Sequence, residues 1–333
     1  MLLNEIEDKF VDLGLKKYKA LQVFRWLAAG AESFSEMSDI AKETRAMLES
    51  QYIILKAEPV EQHKSADGTF KYLLRFSDGN CVESVLMKYK YGFALCISTQ
   101  VGCRMRCRFC ANSKGTFVRN LTPSEMLSQV QSVQKILGIR VSNITLMGIG
   151  EPFDNYQNVL KFLKIVCSDK GFAIGMRHVS VSTCGLPEKI RLFAKERLGV
   201  TLSVSLHAVE DEIRNKIMPI NNKIGLDKLI DSCKYYTSRT GRRVSFEYAM
   251  VDGVNDSERD SERLARLMRG IISHVNLIPI NNTGSEFRPS SKEKIERFAK
   301  ILLSSGVKVT VRRVLGADIN ASCGQLRVTS LNK

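Results

Sequence analysis

Three cysteines stand close together in the stretch QVGCRMRCRFCANS: Cys103, Cys107 and Cys110. A structural zinc site closes its tetrahedron with four protein ligands, so three thiols leave one position to a distant residue or to another molecule. Three thiolates can also bind three irons of a four-iron cluster while the fourth iron stays free. The C-x-x-x-C-x-x-C spacing, with Phe109 before the last cysteine, favours the cluster over a zinc knuckle, because zinc motifs prefer paired C-x-x-C units.

The composition predicts a soluble, globular protein that is attracted to polyanions. The chain has 333 residues, of which 44% are hydrophobic and 26% are charged. Its 50 lysines and arginines exceed the 35 acidic residues by 15 charges. A surplus of that size predicts nucleic acid as the first candidate partner and a membrane surface as the second.

The sequence predicts a cytoplasmic location. No segment approaches the ~18 uninterrupted apolar residues of a spanning helix, and the start MLLNEIEDKF lacks the regions of a signal peptide. The nine cysteines then indicate thiols, metal ligands or catalysis, and not a disulfide scaffold.

The first part of the chain reads as a small helical module followed by a hairpin. KKYKALQVFRWL and EMSDIAKETRAMLESQY repeat apolar residues at three- and four-residue spacing, which predicts helices. FKYLLRFSDGNCVESVLMKYKYG alternates apolar and polar residues on both sides of SDGN, which predicts a β-hairpin. We expect a basic helical RNA-binding module over residues 1–58 and a hairpin linker over 59–92.

Residues 93–333 alternate short β-branched runs with longer amphipathic ones, which implies a parallel α/β sheet. That sheet is a partial or full barrel or a doubly wound sheet, and the absence of G-x-G-x-x-G after the first strand disfavours the dinucleotide-binding version. The strands end in polar motifs: MGIGEP, STCG, SLHA and NLIPIN. Active sites of barrel-like folds gather at the C-terminal strand ends, so we expect these motifs to meet in one pocket.

CRMRCRFC resembles the cluster loop of the radical S-adenosylmethionine (radical SAM) enzymes, and MGIGEP resembles the strand ending that follows it in that superfamily. The resemblance implies a [4Fe-4S] cluster on Cys103, Cys107 and Cys110, with S-adenosylmethionine on the open iron. It also implies cleavage of that cosubstrate to a 5′-deoxyadenosyl radical, and a partial (β/α)6 TIM-type barrel with a small N-terminal helical domain.

Nine ordered motifs narrow the resemblance to the RlmN family, which methylates carbon 2 of adenine in ribosomal and transfer RNA. The resemblance covers about residue 10 to residue 328, the helical module included, and its motifs are VESV, CISTQVGC, MGIGEPFDN, VSTCG, SLHA, MPIN, GVND, NLIPIN and DINASCGQL. Carbon 2 lies between two ring nitrogens and is too electron-poor to attack an electrophilic methyl group. A radical route is therefore the chemically reasonable one.

The RlmN resemblance implies three catalytic residues. Cys323 of SCGQL would carry the methyl group, and two molecules of S-adenosylmethionine would be used in each turnover. Cys96 of CISTQ would release the product by forming a disulfide with Cys323, and Glu83 of VESV would accept a proton. From the residues alone, Cys96 reads as a packed core thiol and Glu83 as an exposed hairpin carboxylate.

The same resemblance implies a cosubstrate site built from the strand ends: Gly150, Glu151, Ser182, Ser205, Leu206, His207 and Asn281. Gly150 and Glu151 would hold the methionine amino group. His207 by itself reads as a core histidine. Cys184 stands where the family usually has serine, which places a thiol near the pocket, whereas Cys81, Cys167 and Cys233 read as structural.

If the substrate is RNA, the surplus positive charge can bind its phosphates. Candidate phosphate-binding residues lie in the cluster loop, in the hairpin and near the C-terminus: Arg104, Arg106, Arg108, Lys88, Lys90, Arg312 and Arg313. The first two could instead raise the reduction potential of a cluster. We expect a monomer that receives its electron from a reductant protein such as flavodoxin or ferredoxin.

Two rival functions remain open from the sequence. Within the enzyme class, Cfr-type methyltransferases act on carbon 8 of an adenine and share most of these motifs; VESVLMKYKYG is closer to Cfr and NLIPIN to RlmN. Outside that class, a non-catalytic iron–sulfur or zinc protein could bind RNA through the helical module.

Overall fold

The computed structural model describes residues 1–281, 283 and 285–326, so residues 327–333 of the third predicted domain lie outside it. The helices are α1 (Leu3–Asp12), α2 (Lys17–Ala28), α3 (Lys42–Gln51), α4 (Pro123–Leu137), α5 (Tyr156–Val166), α6 (Pro187–Glu196), α7 (Asp211–Ile217), α8 (Asn221–Ile224), α9 (Leu226–Thr240), α10 (Glu258–Leu267) and α11 (Lys292–Ser304). The strands are β1 (Glu58–Lys64), β2 (Phe70–Arg75), β3 (Cys81–Tyr89), β4 (Gly92–Cys96), β5 (Gln100–Val101), β6 (Arg119–Asn120), β7 (Val141–Leu146), β8 (Val179–Thr183), β9 (Thr201–Ser205), β10 (Val244–Met250), β11 (Ser273–Pro279) and β12 (Val309–Val311).

The N-terminal helices α1 to α3 pack onto the outside of the larger α/β part. Their buried apolar residues belong to the same continuous core as those of the sheet. Two ion pairs cross the contact, Lys161 to Glu5 and Lys135 to Glu32, each at 2.7 Å. The helical module is thereby docked against α5 and α4, which carry those two lysines.

The predicted hairpin is present as β2 and β3, which pair antiparallel across the SDGN turn. It is larger than expected, because β1 adds a third strand and β3 pairs antiparallel with β4. These strands therefore extend the main sheet, so the segment that we expected to link two bodies is one flank of the sheet. The exact domain bounds remain a prediction.

The main sheet has ten strands in the order β1-β2-β3-β4-β7-β8-β9-β10-β11-β12, and from β4 onward all neighbours are parallel. The parallel strands follow one another without a reversal, which excludes the doubly wound order. Six of them, β4 and β7 to β11, are each followed by at least one helix. This is the partial (β/α)6 barrel, with the short β12 as a further edge strand.

Alternation along each strand separates the two faces of the barrel. In β10, Phe246 and Tyr248 belong to the apolar core beneath the helices, whereas Glu247 and Ala249 line a cavity on the opposite face. Ser182 of β8 and Ser205 of β9 line the same cavity. Small and polar residues therefore face the barrel interior, which leaves room for a ligand near the C-terminal strand ends.

Within the described part of the chain, no helix has both the length and the apolar character that a membrane span requires.

Candidate active site

The three-cysteine loop connects β5 to β6 and is fixed by backbone contacts. The Arg108 N–H donates to the Ile217 carbonyl at 2.9 Å, and the Cys110 N–H donates to the Cys107 carbonyl at 3.0 Å. Arg106 adopts a positive φ of 53°. Cys103, Cys107 and Cys110 all line one cavity at the strand ends, so the loop opens toward the predicted pocket.

The chemistry of this loop fits an iron–sulfur cluster. Burial raises the pKa of all three thiols, that of Cys103 to about 12, so their ionisation calls for a bound cation. The side-chain nitrogen of the buried Asn112 has no hydrogen-bond partner and also lies on the cavity, as a donor for a sulfide or thiolate would. Within the described residues, no three His, Cys, Asp or Glu side chains stand close enough to hold a single metal ion.

The MGIGEP segment is held against the chain after β4 by closely spaced backbone contacts. A Cβ atom at Gly148 would lie 2.7 Å from the Ile97 carbonyl carbon, and one at Gly150 would lie 2.8 Å from the Gln100 nitrogen. Gly150 also has a φ of 111°. Only glycine fits both positions, and the result is that Glu151 is delivered to the cavity.

Glu151 is buried and both of its carboxylate oxygens are engaged. They accept the N–H of Phe153 at 2.9 Å and that of Cys184 at 2.7 Å. Burial raises the pKa of Glu151 above its ordinary value, although these N–H donors oppose that shift. Glu151 also lines the cavity, and a carboxylate in that position suits an ammonium group.

The remaining predicted cosubstrate residues occupy three strand ends. Ser182, Ser205, His207 and Asn281 line the cavity, whereas Leu206 is fully buried and does not. The His207 Nδ1 accepts the Ala249 N–H at 2.9 Å, and burial lowers the pKa of His207 to about 3. The imidazole is therefore neutral at physiological pH and carries its proton on Nε2.

The loop that carries Cys323 is anchored to the cysteine loop and to the turn between β1 and β2. The Asn281 side-chain amide donates to the Cys323 carbonyl at 3.1 Å, and the Ala111 N–H donates to the Gly324 carbonyl at 2.7 Å. On the other side, the Asp318 carboxylate accepts the Ser65 hydroxyl at 2.6 Å, and Asp67 accepts the Gly316 N–H at 2.8 Å. We call the last two contacts the rim clasp.

Cys96 and Cys323 face the same cavity from opposite edges of the parallel sheet. All nine cysteines lie in the described residues and each is a free thiol. Burial raises the pKa of Cys96 to about 11, with a further contribution from the charge of Cys323. Six cysteines therefore line the cavity: the three of the loop, this pair, and Cys184, which lies near the pocket as expected.

Comparison with known proteins identifies the family. Residues 97–265 match the profile of the Radical SAM superfamily, and residues 1–54 match that of the Ribosomal RNA large subunit methyltransferase N-terminal domain. A Clostridium botulinum protein named "Probable dual-specificity RNA methyltransferase RlmN" is 50% identical over 93% of this chain and 90% of its own length. A protein of the same name from Lachnoclostridium phytofermentans is 46% identical over 100% of this chain and 94% of its own.

This chain belongs to the RlmN family. A crystal structure of a radical SAM methyltransferase from Sphaerobacter thermophilus also superimposes with a TM-score of 0.93 at 40% identity, covering 98% of this chain and 97% of that one. The chain is therefore an enzyme, which sets aside the non-catalytic RNA-binding alternative. Membership of the RlmN family within the radical SAM superfamily implies a [4Fe-4S] cluster and S-adenosylmethionine.

Glu83, the proton acceptor that the RlmN resemblance implies, is not exposed as its position in a hairpin would suggest. It is buried in β3 and forms an ion pair of 3.3 Å with Lys71 of β2, which is also largely buried. Glu83 lies on the same face of β3 as Val85 and Met87, which line the cavity, but does not itself line it.

Arg312 differs most from the sequence expectation. We predicted that it binds RNA phosphates, but its side chain lines the cavity, 3.7 Å from the Glu247 carboxylate. The charge of Cys323 is the largest influence on Arg312 and raises its pKa, with Glu247 and Cys96 acting in the same direction. In this RlmN family member, Arg312 is therefore a cation of the active site.

Two further residues of the site escaped the sequence analysis. Arg214 is fully buried and donates to the carbonyls of Cys184 at 2.7 Å and Ser205 at 3.0 Å, which ties the ends of β8 and β9 together. Glu247 is 3% exposed, and its Oε2 has no hydrogen-bond partner. The sequence held one signal for each residue. Arg214 is a charged residue three positions before Ile217 on an apolar helix face, and Glu247 is a lone carboxylate in an apolar strand.

Proposed function

We propose that this enzyme methylates carbon 2 of adenine in RNA, either ribosomal RNA, transfer RNA or both, with Cys323 as the methyl carrier. The observation that carries the proposal is the pair of free thiols, Cys96 and Cys323, on the cavity of the three-cysteine loop. A radical enzyme that acted directly on its substrate would need the loop but not the pair. The relatives named RlmN support RNA as the substrate.

The cosubstrate would lie between the cysteine loop and the strand ends. Cys103, Cys107 and Cys110 would hold the cluster, which when bound supplies the electron that cleaves S-adenosylmethionine. Glu151 offers a carboxylate to the methionine amino group, and Ser182, Ser205 and Asn281 offer polar groups to the rest of the molecule. Neutral His207 offers an N–H donor that carries no competing positive charge.

Cys323 would receive the first methyl group as a thiolate. Arg312 supports this role because it places a cation on the cavity that Cys323 also lines. The deoxyadenosyl radical from a second S-adenosylmethionine would remove a hydrogen atom from that S-methyl group, and the resulting methylene radical would add to carbon 2 of the adenine. The Cys96 thiolate would then attack the Cys323 sulfur, so that the carbon–sulfur bond breaks, a disulfide remains and the released carbon takes up a proton to become the methyl group. Glu83 would accept the proton that carbon 2 loses, and the surplus electron would return to the redox partner that supplied it.

The surplus positive charge supports RNA as the partner, and the exposed Arg104, Arg106, Arg108 and Arg313 remain candidates for its phosphates. The guanidinium of Arg104 lies 3.7 Å from the centre of the Phe117 ring, so it is held at the outside of the loop. We infer further that the enzyme acts in the cytoplasm as a monomer and takes its electron from a reductant protein such as flavodoxin or ferredoxin.

Mass spectrometry tests the proposal directly. Cluster-loaded enzyme, reductant, S-adenosylmethionine and unmodified RNA should yield 2-methyladenosine, and trypsin digestion of RNA-free enzyme should yield S-methylated Cys323. The Cys323→Ala variant should keep its cluster absorbance and form no methylated adenosine. Formation of 8-methyladenosine would show that the enzyme methylates carbon 8 instead of carbon 2. Unmodified RNA with an intact cluster would contradict both methylation activities.

A further inference from the structure

Two tyrosines form a stack in the turn between β3 and β4. The rings of Tyr89 and Tyr91 have centroids 5.0 Å apart and planes that differ by 5°. Tyr91 is 67% exposed, so the outer face of the stack is open to solvent. The sequence around them is Lys-Tyr-Lys-Tyr, and Lys88 and Lys90 are both exposed.

The stack begins inside the active site. Tyr89 lines the same cavity as Cys96 and Cys323, and its hydroxyl contacts the Met87 sulfur at 3.6 Å. Burial raises the pKa of Tyr89, and the charge of Arg312 acts on the same hydroxyl. From this inner ring the stack leads directly to Tyr91 at the surface. The aromatic pair therefore extends from the lining of the cavity to the protein surface.

The fold gives little reason for an aromatic residue at position 91. A turn position with two thirds of its side-chain surface in water gains little from burying a ring, and the neighbouring Gly92 already supplies the positive φ of 127° that the turn needs. The ring is held parallel to Tyr89 instead of lying flat on the protein. This orientation leaves one face of the Tyr91 ring to the solvent, and the exposed Lys88 and Lys90 are neighbours of the two tyrosines in sequence.

We propose that Tyr89 and Tyr91 form a stacking platform for the RNA base next to the target adenine, with Lys88 and Lys90 holding the adjoining phosphates. The proposal rests on the RNA methyltransferase function. An enzyme that draws a base out of its stack must offset the stacking that the neighbouring bases lose. Tyr91 offers such a base an exposed ring, and unstacked RNA bases bind aromatic side chains in this way.

The substitutions that test the platform are Tyr91→Ala, Tyr91→Leu and Tyr91→Phe in cluster-loaded enzyme. The probe is a fluorescein-labelled RNA hairpin with adenines in its loop, titrated by fluorescence anisotropy at fixed salt. Base stacking on an aromatic residue corresponds to roughly tenfold in affinity. We expect Tyr91→Ala and Tyr91→Leu to bind about tenfold more weakly and Tyr91→Phe to bind like the parent.

Tyr235→Ala is the matched control, because Tyr235 lies in α9, outside the described cavity, and stacks on Arg191 instead. It should bind RNA like the parent. RNA-free methylation of Cys323 should be the same in all variants, which separates this test from that of the proposed function. Failure of the proposed function would appear in the parent, as RNA without methylated adenosine.

Three results would overturn the platform. The first is that Tyr91→Ala binds RNA as tightly as the parent. The second is that Tyr91→Leu binds as tightly as Tyr91→Phe, which would mean that apolar contact is sufficient and that no aromatic ring is needed. The third is unchanged RNA affinity with slower electron delivery from flavodoxin, which would assign the turn to the reductant.

Discussion

Two cysteines with opposite surroundings share the work that we propose for the thiol pair. Cys96 is 9% exposed and packs with Val85, Ile149 and Ala321, whereas Cys323 is half-buried in a loop between glycine and serine. Packing therefore restricts the proposed resolving thiol more than it restricts the proposed methyl carrier. A carrier must visit the cosubstrate and the adenine in turn, but a resolving thiol has one target.

Cys96→Ala should trap the enzyme on its substrate. The variant keeps the methyl carrier, so Cys323 is methylated and joins the adenine, but no sulfur displaces the product. Denaturing gels should show RNA attached to protein through a thioether that reducing agents do not release. In the parent, product release should accelerate as pH rises toward about 11, the raised pKa of Cys96, because the thiolate is the attacking form.

Cys233→Ala is a suitable control, since Cys233 is fully buried in α9 and does not line the cavity. It should lose stability without trapping RNA. If Cys96→Ala turned over normally with its cluster absorbance intact, Cys96 would have a packing role in the apolar core and no catalytic role.

At the scale of elements, the rim clasp holds the Cys323 loop from outside the barrel. The β1–β2 turn supplies Ser65 and Asp67, and the loop after β12 supplies Asp318 and Gly316. Although partial burial alone would raise it, hydrogen bonds from Gly316, Thr69 and Ser65 lower the pKa of Asp67 to about 2. The contribution of Asp67 is therefore present above pH 3.8, its ordinary pKa, and is lost as pH falls toward 2.

Asp318→Ala should loosen the catalytic loop without disturbing the cluster. Removing its carboxylate frees the Ser65 hydroxyl and the Ala66 N–H, so the loop opens more often. Hydrogen exchange of residues 316–326 should become several-fold faster and methylation of Cys323 slower. The control is Glu61→Ala, which removes an exposed carboxylate from β1 and should leave both rates unchanged. An effect equal to that of Asp318→Ala would mean that the loop responds to any loss of negative charge and not to the loss of the rim clasp.

Local patterns predicted most of the elements but few of their long-range contacts. Alternation and helical spacing correctly predicted the parallel β/α order and the hairpin, and MGIGEP was correctly placed at a strand end. The family resemblance supplied the candidate residues. Neither indicated that Arg312 points into the cavity or that Asp318 bonds to Ser65, because such contacts depend on how the sheet curves between residues far apart in the chain.

At the scale of the whole molecule, the net charge of +15 should make RNA binding strongly dependent on salt. Each phosphate that a lysine or arginine neutralises releases a counterion, and several such contacts imply a slope of log affinity against log salt on the order of −4 or steeper. Titrations of the parent at increasing potassium chloride measure it. A flat response would assign the charge to solubility alone.

The rim clasp has a consequence for how this protein is made. Its hydrogen bonds join residues 249 and 253 positions apart in sequence, so they cannot form on the ribosome until nearly the whole chain has emerged. The cysteine loop and the strand ends up to β9 are synthesised more than a hundred residues earlier. A nascent chain can thus form the three-cysteine loop first and position Cys323, the proposed methyl carrier, last.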